Sequence, residues 1–256
     1  MTIDYEVADG IAHIIINREE RKNAITFAMR NEIEAAFRKA QDDDAVRVVL
    51  FFGAGKDFSA GADVTEMGGG GVRGSLLKIR HLHRMARGVG HTNKPVIAAV
   101  CGVCIGMSWA LALACDIVVA AEDARFQFAF RHIGLAPDGG AAFLLTRYVN
   151  LQRAKEIMYS GRFVSGKEAF ELGLALYALP AEEVMAKARA IAASFAHAPT
   201  LALSMAKRQF EAAAGQNYDE ALDFEFNIQP LMVETEDFRE GTTSFKEKRK
   251  AVFVGN

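Results

Sequence analysis

The 256-residue sequence has no long block of one charge sign: 30 basic and 32 acidic residues are spread along it and leave a formal net charge of -2. That balance gives a nucleic acid or a membrane surface nothing to bind to, and neither is expected as a partner. Cysteine is scarce. Cys101, Cys104 and Cys115 crowd into one small-residue apolar stretch instead of falling at framework spacing, so disulfide stapling is not expected. Buried thiols in a reducing, cytoplasmic setting are. Cys101 and Cys104 have CxxC spacing, but no second pair or nearby histidine completes a zinc set; packing is their expected use, and no metal is predicted. The N-terminus, MTIDYEVADGIAHIIIN, lacks the basic start and long apolar centre of a signal or transit peptide. The most apolar run, Pro95 to Ala121, is broken by Gly102, Gly106 and Asp116 and reads as buried strand, turn, helix and strand, not as a membrane span. Internal repeats are absent, and the tract Gly68 to Gly71 lacks the GxGxxG or GxxxxGKS order of a phosphate cradle.

What is present is a chain apolar enough, at 51% hydrophobic residues, to bury one large core. Gly10 to Asn17 reads as a strand. Thr26 then caps a segment in which Met29, Ile33, Ala36, Phe37 and Ala40 recur at helical spacing. Val46 to Phe52 is a strand closed by Gly53. A glycine-rich loop (Lys56 to Gly74), a basic helix (Ser75 to Gly88), a strand (Pro95 to Val100), a buried helix (about Met107 to Ala114) and another strand (Asp116 to Ala121) follow. Strand and helix in alternation predict an α/β core over residues 1–195. After Pro180 three helical patterns run in succession, separated by Pro199 and Gly215, and residues 196–256 are predicted to form a helical lid or oligomerisation region.

Two turns carry the chemistry. In Asp57-Phe58-Ser59-Ala60-Gly61-Ala62-Asp63-Val64 the small side chains let a ligand approach the backbone, and Ala62 can present its N–H unobstructed. Gly102-Val103-Cys104-Ile105-Gly106-Met107-Ser108 leads into the N-terminus of the buried helix, where unpaired N–H groups and a partial positive charge suit an oxyanion. Each stretch alone is also readable as an ordinary small-residue turn.

Together with Asn23-Ala24-Ile25-Thr26, with Val96 to Asp116, with Gly134-Leu135-Ala136-Pro137-Asp138-Gly139-Gly140 and with Phe245-Lys246-Glu247-Lys248-Arg249, these stretches resemble the signatures of the crotonase (enoyl-CoA hydratase/isomerase) family, in order and over essentially the whole chain. The resemblance implies a spiral of ββα units with a helical C-terminal trimerisation region, in a homotrimer or dimer of trimers. It implies no prosthetic group, with a coenzyme A thioester as substrate. It implies that the amides of Ala62 and Met107 form an oxyanion hole, and that the backbone at Ala24 and Ala60 receives the coenzyme A nucleotide. Arg21, Lys22, Phe245 and Lys248 are similar to the family's remaining coenzyme A contacts; a solvated charged face is the other reading of these charges.

The departures from the family pattern bear on the reaction. The two glutamates that the hydratase branch uses to activate water correspond to Ala110 and Phe130, and neither residue exchanges a proton. Asp138 stands where members that shift double bonds carry an aspartate. It either caps the following helix or serves as the single base that moves a proton between two carbons. The expected function is therefore enoyl-CoA double-bond or ring isomerisation. The alternatives are a hydratase or lyase whose base is Glu66 or Glu122, and a coenzyme A-binding scaffold without activity. The histidines His81, His83 and His132 are expected at the surface or in packing; Glu66 and Arg84 can face the acyl pocket, but surface exposure is the expected reading for each. Asp63 and Asp116 are expected to anchor turns, and Trp109 and Phe130 to fill the core, though both can border an acyl pocket.

Overall fold

The computed structural model describes residues 2–256. Strands β1 (Ile3–Ala8) and β2 (Ile11–Ile16) form a hairpin around Asp9 and Gly10, both at positive φ, the two-residue turn whose twist matches antiparallel strands. Helix α1 (Phe27–Asp42) starts where expected: the Thr26 hydroxyl accepts the Met29 N–H at 3.2 Å, and Met29, Ile33, Ala36, Phe37 and Ala40 are buried. Strand β3 (Val48–Gly53) follows. Helix α2 (Gly71–Gly90) departs from the sequence reading, beginning four residues before Ser75 and ending two after Gly88. Only three of its residues, Leu82, Met85 and Val89, are buried, all in its second half, so a glycine start is tolerated where no packing is lost.

Strands β4 (Val96–Val100) and β5 (Val103–Ile105) lead into α3 (Met107–Leu113), every residue of which is buried. Then come β6 (Ile117–Ala121), β7 (Arg125–Gln127), α4 (Ala141–Tyr148), α5 (Leu151–Ser160), β8 (Val164–Ser165), α6 (Gly166–Glu171) and β9 (Tyr177–Leu179). The chain ends in α7 (Ala181–Ala196), α8 (Thr200–Ala213), α9 (Tyr218–Met232) and α10 (Glu236–Glu247). The last of these, α5 and α6 are helices beyond those expected, short amphipathic pieces whose period the sequence shows weakly, while α4 is the helix expected after Asp138.

The large sheet runs β1-β2-β3-β4-β6-β9, parallel from β2 onward, and a small sheet runs β5-β7-β8. A strand of the large sheet, a strand of the small one and a helix therefore recur, as in β4-β5-α3. Helix α7 lies against β2, β3, β4, β6 and β9 with the stripe Val184, Ala188, Ala192 and Ala196, whose small side chains allow close approach. Arg47, just before β3, ties the C-terminal segment down by donating to Ala198 O, Thr200 Oγ1 and Phe253 O at 2.8–2.9 Å. Among the described residues no helix is long and apolar enough to cross a membrane, and the three cysteines are free thiols.

Candidate active site

Parallel pairing of β3 with β4 brings their C-terminal ends to the same edge, since Phe52 lies opposite Ala99, and the two small-residue turns leave from that edge. They are bonded to each other. Ser59 N–H donates to Val103 O and Ile105 N–H to Ser59 O, both at 3.0 Å, while Asp57 Oδ1 accepts the Val103 N–H at 2.8 Å. Gly61, at φ 93°, lies so near that a Cβ there would stand 2.6 Å from Ile105 O, and a side chain at this position would push the turns apart.

A polar network fixes the same edge from within. The buried Ser59 hydroxyl donates to Asn23 O at 2.8 Å, accepts the Ser108 hydroxyl at 2.7 Å and the Gly61 N–H at 3.1 Å. Asn23, fully buried and left-handed at φ 57°, donates to Ala54 O (2.9 Å) and Asp57 O (2.6 Å) and accepts the Arg18 N–H (2.9 Å). Asp63 accepts the N–H and hydroxyl of Thr65 and pairs with Arg18 at 2.5 Å, bonds that hold its carboxyl down from 3.8 to about 2. Asp63 anchors its turn as expected, and Asp116 likewise accepts the Val96 N–H at 2.7 Å.

Within this lattice Ile25 N–H donates to Gly61 O and Asp63 N–H to Ile25 O, which leaves the intervening Ala62 N–H facing the other way. Among the described residues neither Ala62 N–H nor Met107 N–H has a hydrogen-bond partner. The Met107 N–H opens helix α3 and carries its dipole. Two such amides suit an oxygen that gains charge during a reaction.

Asp138 lies beside α3: a Cβ on its neighbour Gly139 would stand 3.5 Å from Ala110 Cβ and 3.7 Å from Met107 Cβ. Its side chain does not cap α4. That helix begins behind Gly140 with no side-chain bond, which removes the capping reading. Instead Asp138 Oδ1 is buried without a partner, and burial raises its pKa, opposed by the charges of Arg30 and His83. A carboxyl with one oxygen buried and unpaired, its pKa raised by burial, is suited to take up and release a proton.

Trp109 and Phe130 are buried and, as expected, belong to the packing, and Ala110 is buried with them. Trp109 stacks on Phe128 at 4.3 Å between centroids, and Phe128 on Phe130 at 6.0 Å. Glu66 corrects the surface expectation. It is half-buried, and its Oε2 accepts the Phe27 N–H at the start of α1 at 2.6 Å. Glu122 is exposed in the turn between β6 and β7. Arg84 is exposed and donates to Asn31 and His81, while His132 bonds Gly161 O. Arg30 and His83 were not expected to act on the charge of Asp138. Arg30 had a readable signal, since it shares the buried face of α1 with Ile33 and Phe37; His83, exposed on α2, had none.

Ala24 and Ala60 come together through Lys22, whose carbonyl accepts the Ala60 N–H at 2.9 Å; Arg21 and Lys22 are exposed beside them. Phe245, 85% exposed, and Lys248 sit at the end of α10. Among the described residues no hydrogen bond or ion pair joins them to that turn.

The recurring ββα unit with these two turns at the sheet edge is the crotonase fold. The profile of the enoyl-CoA hydratase/isomerase family matches residues 6–256. A Rhodobacter capsulatus protein named "Probable enoyl-CoA hydratase" is 34% identical, with 99% of this chain and 98% of that protein covered. The 1,2-epoxyphenylacetyl-CoA isomerase of Escherichia coli is 32% identical, with 97% of each covered. The crystal structure of enoyl-CoA hydratase from Bacillus anthracis superposes with a TM-score of 0.95 at 30% identity, covering 100% of both chains. The chain belongs to the enoyl-CoA hydratase/isomerase family, enzymes that act on coenzyme A thioesters.

Proposed function

We propose that this enzyme isomerises an enoyl-CoA thioester by moving one proton. Asp138 removes a proton from a carbon of the acyl group, the electron pair left behind delocalises onto the thioester oxygen, and the N–H groups of Ala62 and Met107 hold that oxygen. Return of the same proton from Asp138 to a different carbon completes the shift. No water enters the product. The observation that supports this reading is the buried, unpartnered Asp138 Oδ1, on a turn whose next residue, Gly139, lies against Met107 and Ala110, in a site where Ala110 and Phe130 supply no second carboxylate.

In the same reading the coenzyme A nucleotide lies on the Ala24 and Ala60 backbone beside Ala62, with Arg21 and Lys22 against its phosphates. Phe245 and Lys248, exposed on α10, then reach the nucleotide of a neighbouring copy in an oligomer. A hydratase or lyase reading takes Glu66 as its base. It is the weaker one, because Glu66 is already bonded to the Phe27 N–H.

A substrate panel scored separately for double-bond migration and for water addition tests the proposal. Migration without hydration, abolished in Asp138→Asn, is expected. Hydration of crotonyl-CoA that survives Asp138→Asn defeats it, and coenzyme A binding with no turnover on any enoyl-CoA points to a scaffold.

A further inference from the structure

The first half of α2 is attached by a few polar contacts and not by a packed face. From Gly71 to His81 no residue of the helix is buried, and Val72, Leu76 and Ile79, spaced i, i+4, i+7 on one side, are exposed, Val72 by 79%. The contacts centre on Lys78. Its Nζ donates to Glu66 O at 2.9 Å and to Gly68 O and lies over the Phe27 ring at 4.9 Å, while its carbonyl accepts from Arg30 at 3.3 Å. These partners adjoin the Ala62 turn: Phe27, whose N–H Glu66 Oε2 accepts at 2.6 Å, is two residues past Ile25, which is bonded to both neighbours of Ala62. Uncovered apolar surface begins at the same turn with Val64, 68% exposed, and Met67, and resumes on α2 beyond the glycine run. That run is a hinge by conformation. Gly68 to Gly71 all take positive φ, from 57° to 79°, and a Cβ at Gly68, Gly69 or Gly71 would meet nothing within 4 Å, so glycine serves backbone freedom there and not close packing.

Three aliphatic side chains that pack on nothing, carried on a glycine hinge and pinned by one lysine, gain when apolar surface arrives. We infer that Lys78 is a positioning residue for the acyl group: it latches the first half of α2 beside the Ala62 turn, where Val72, Leu76 and Ile79 close as a lid over the hydrocarbon of the substrate. The inference rests on the proposed reaction, in which the thioester oxygen lies on the Ala62 N–H and the acyl chain leaves past Val64. The substrate class is then an enoyl thioester whose chain is long enough to cover the lid, rather than one of the shortest acyl groups.

Trypsin reads the lid directly, because Arg73 lies in it. Octanoyl-CoA, a saturated thioester with no double bond to move, is expected to slow cleavage after Arg73 about tenfold or more; acetyl-CoA, with the same nucleotide and a chain too short to reach, should leave it nearly unchanged. In Lys78→Met the free enzyme should be cut faster after Arg73. There the ratio of kcat/KM for a ten-carbon to a four-carbon enoyl-CoA should fall about tenfold through KM, and Lys78→Arg should recover part of it. Leu76→Ser breaks no bond of the free protein and should lower the same ratio, and it decides the matter if Lys78→Met does not fold. Equal protection by octanoyl-CoA and acetyl-CoA, or none by either, overturns the inference, as does an unchanged ratio in Leu76→Ser. Failure of the proposed reaction looks different: Asp138→Asn would then keep its rate on every substrate, whatever happens at Arg73.

Discussion

The turn that carries Ala62 and the wall that carries Asp138 border one site but treat their polar groups in opposite ways. Around Ala62, Asn23 makes three side-chain hydrogen bonds, the Ser59 hydroxyl makes three, and Asp63 is saturated by Thr65 and Arg18. At Asp138 a carboxylate oxygen is buried with nothing to bond. The first arrangement fixes backbone, because each satisfied group would be costly to free. The second leaves an oxygen free to act, because an unsatisfied carboxylate oxygen gains when a proton arrives.

The largest expected effect falls on the unsatisfied side. Asp138→Asn should lower kcat by roughly 10²- to 10⁴-fold, the usual contribution of a positioned base, and leave the melting temperature unchanged or higher because a desolvated charge is gone. Loss of stability with unchanged kcat would break the contrast at its centre. Next is Asn23→Ala, which deprives Ala54 O, Asp57 O and the Arg18 N–H of their partner. A loss of about 3 kcal/mol, or roughly 6–12 °C in Tm, is expected from calorimetry. Ser108→Ala removes one donor to Ser59 and should cost about 1 kcal/mol, a few degrees in Tm; a larger fall would mean the network is more cooperative than its bonds suggest.

The smallest effect is a difference in pH response. Asp63 is held at about 2 against an ordinary 3.8, so its bonds stabilise the fold fully above about pH 4, and their contribution is lost as pH falls from there toward 2. The Tm gap between wild type and Asp63→Asn should therefore narrow over that interval. Asp138 runs the other way. Its raised pKa makes the folded state gain as it protonates, while the acid limb of kcat/KM should lie above the ordinary carboxylate range, since the base must be ionised to work. An acid limb at or below 3.8 would show that the reacting carboxylate is another.

Much of this was legible in the residues. Thr26 and the apolar spacing behind it located α1, the small residues from Phe58 to Val64 and from Gly102 to Ser108 located both turns, and Ala110 and Phe130 announced themselves as departures. The start of α2 was hidden by its glycines, which suppress helix signals whether or not a helix forms. Glu66 was misplaced because its partner, the Phe27 N–H, is 39 residues away. Arg30 was missed as one more charge on an amphipathic helix, although its place on the face of Ile33 and Phe37 was there to be read.

The sequence by itself determined the alternation of strand and helix, the two turns and the single aspartate left where the hydratase pattern has glutamates, because hydrophobic period, turn chemistry and residue type are local properties. Only the tertiary structure decided that Asp138 caps nothing and keeps one oxygen buried and unpaired, and that Ser59 joins Asn23 to Ser108. Those facts depend on which segments the parallel sheet brings to one edge, where hydrogen-bond partners are residues far apart in the chain, as Ser59 and Ser108 are at 49 positions.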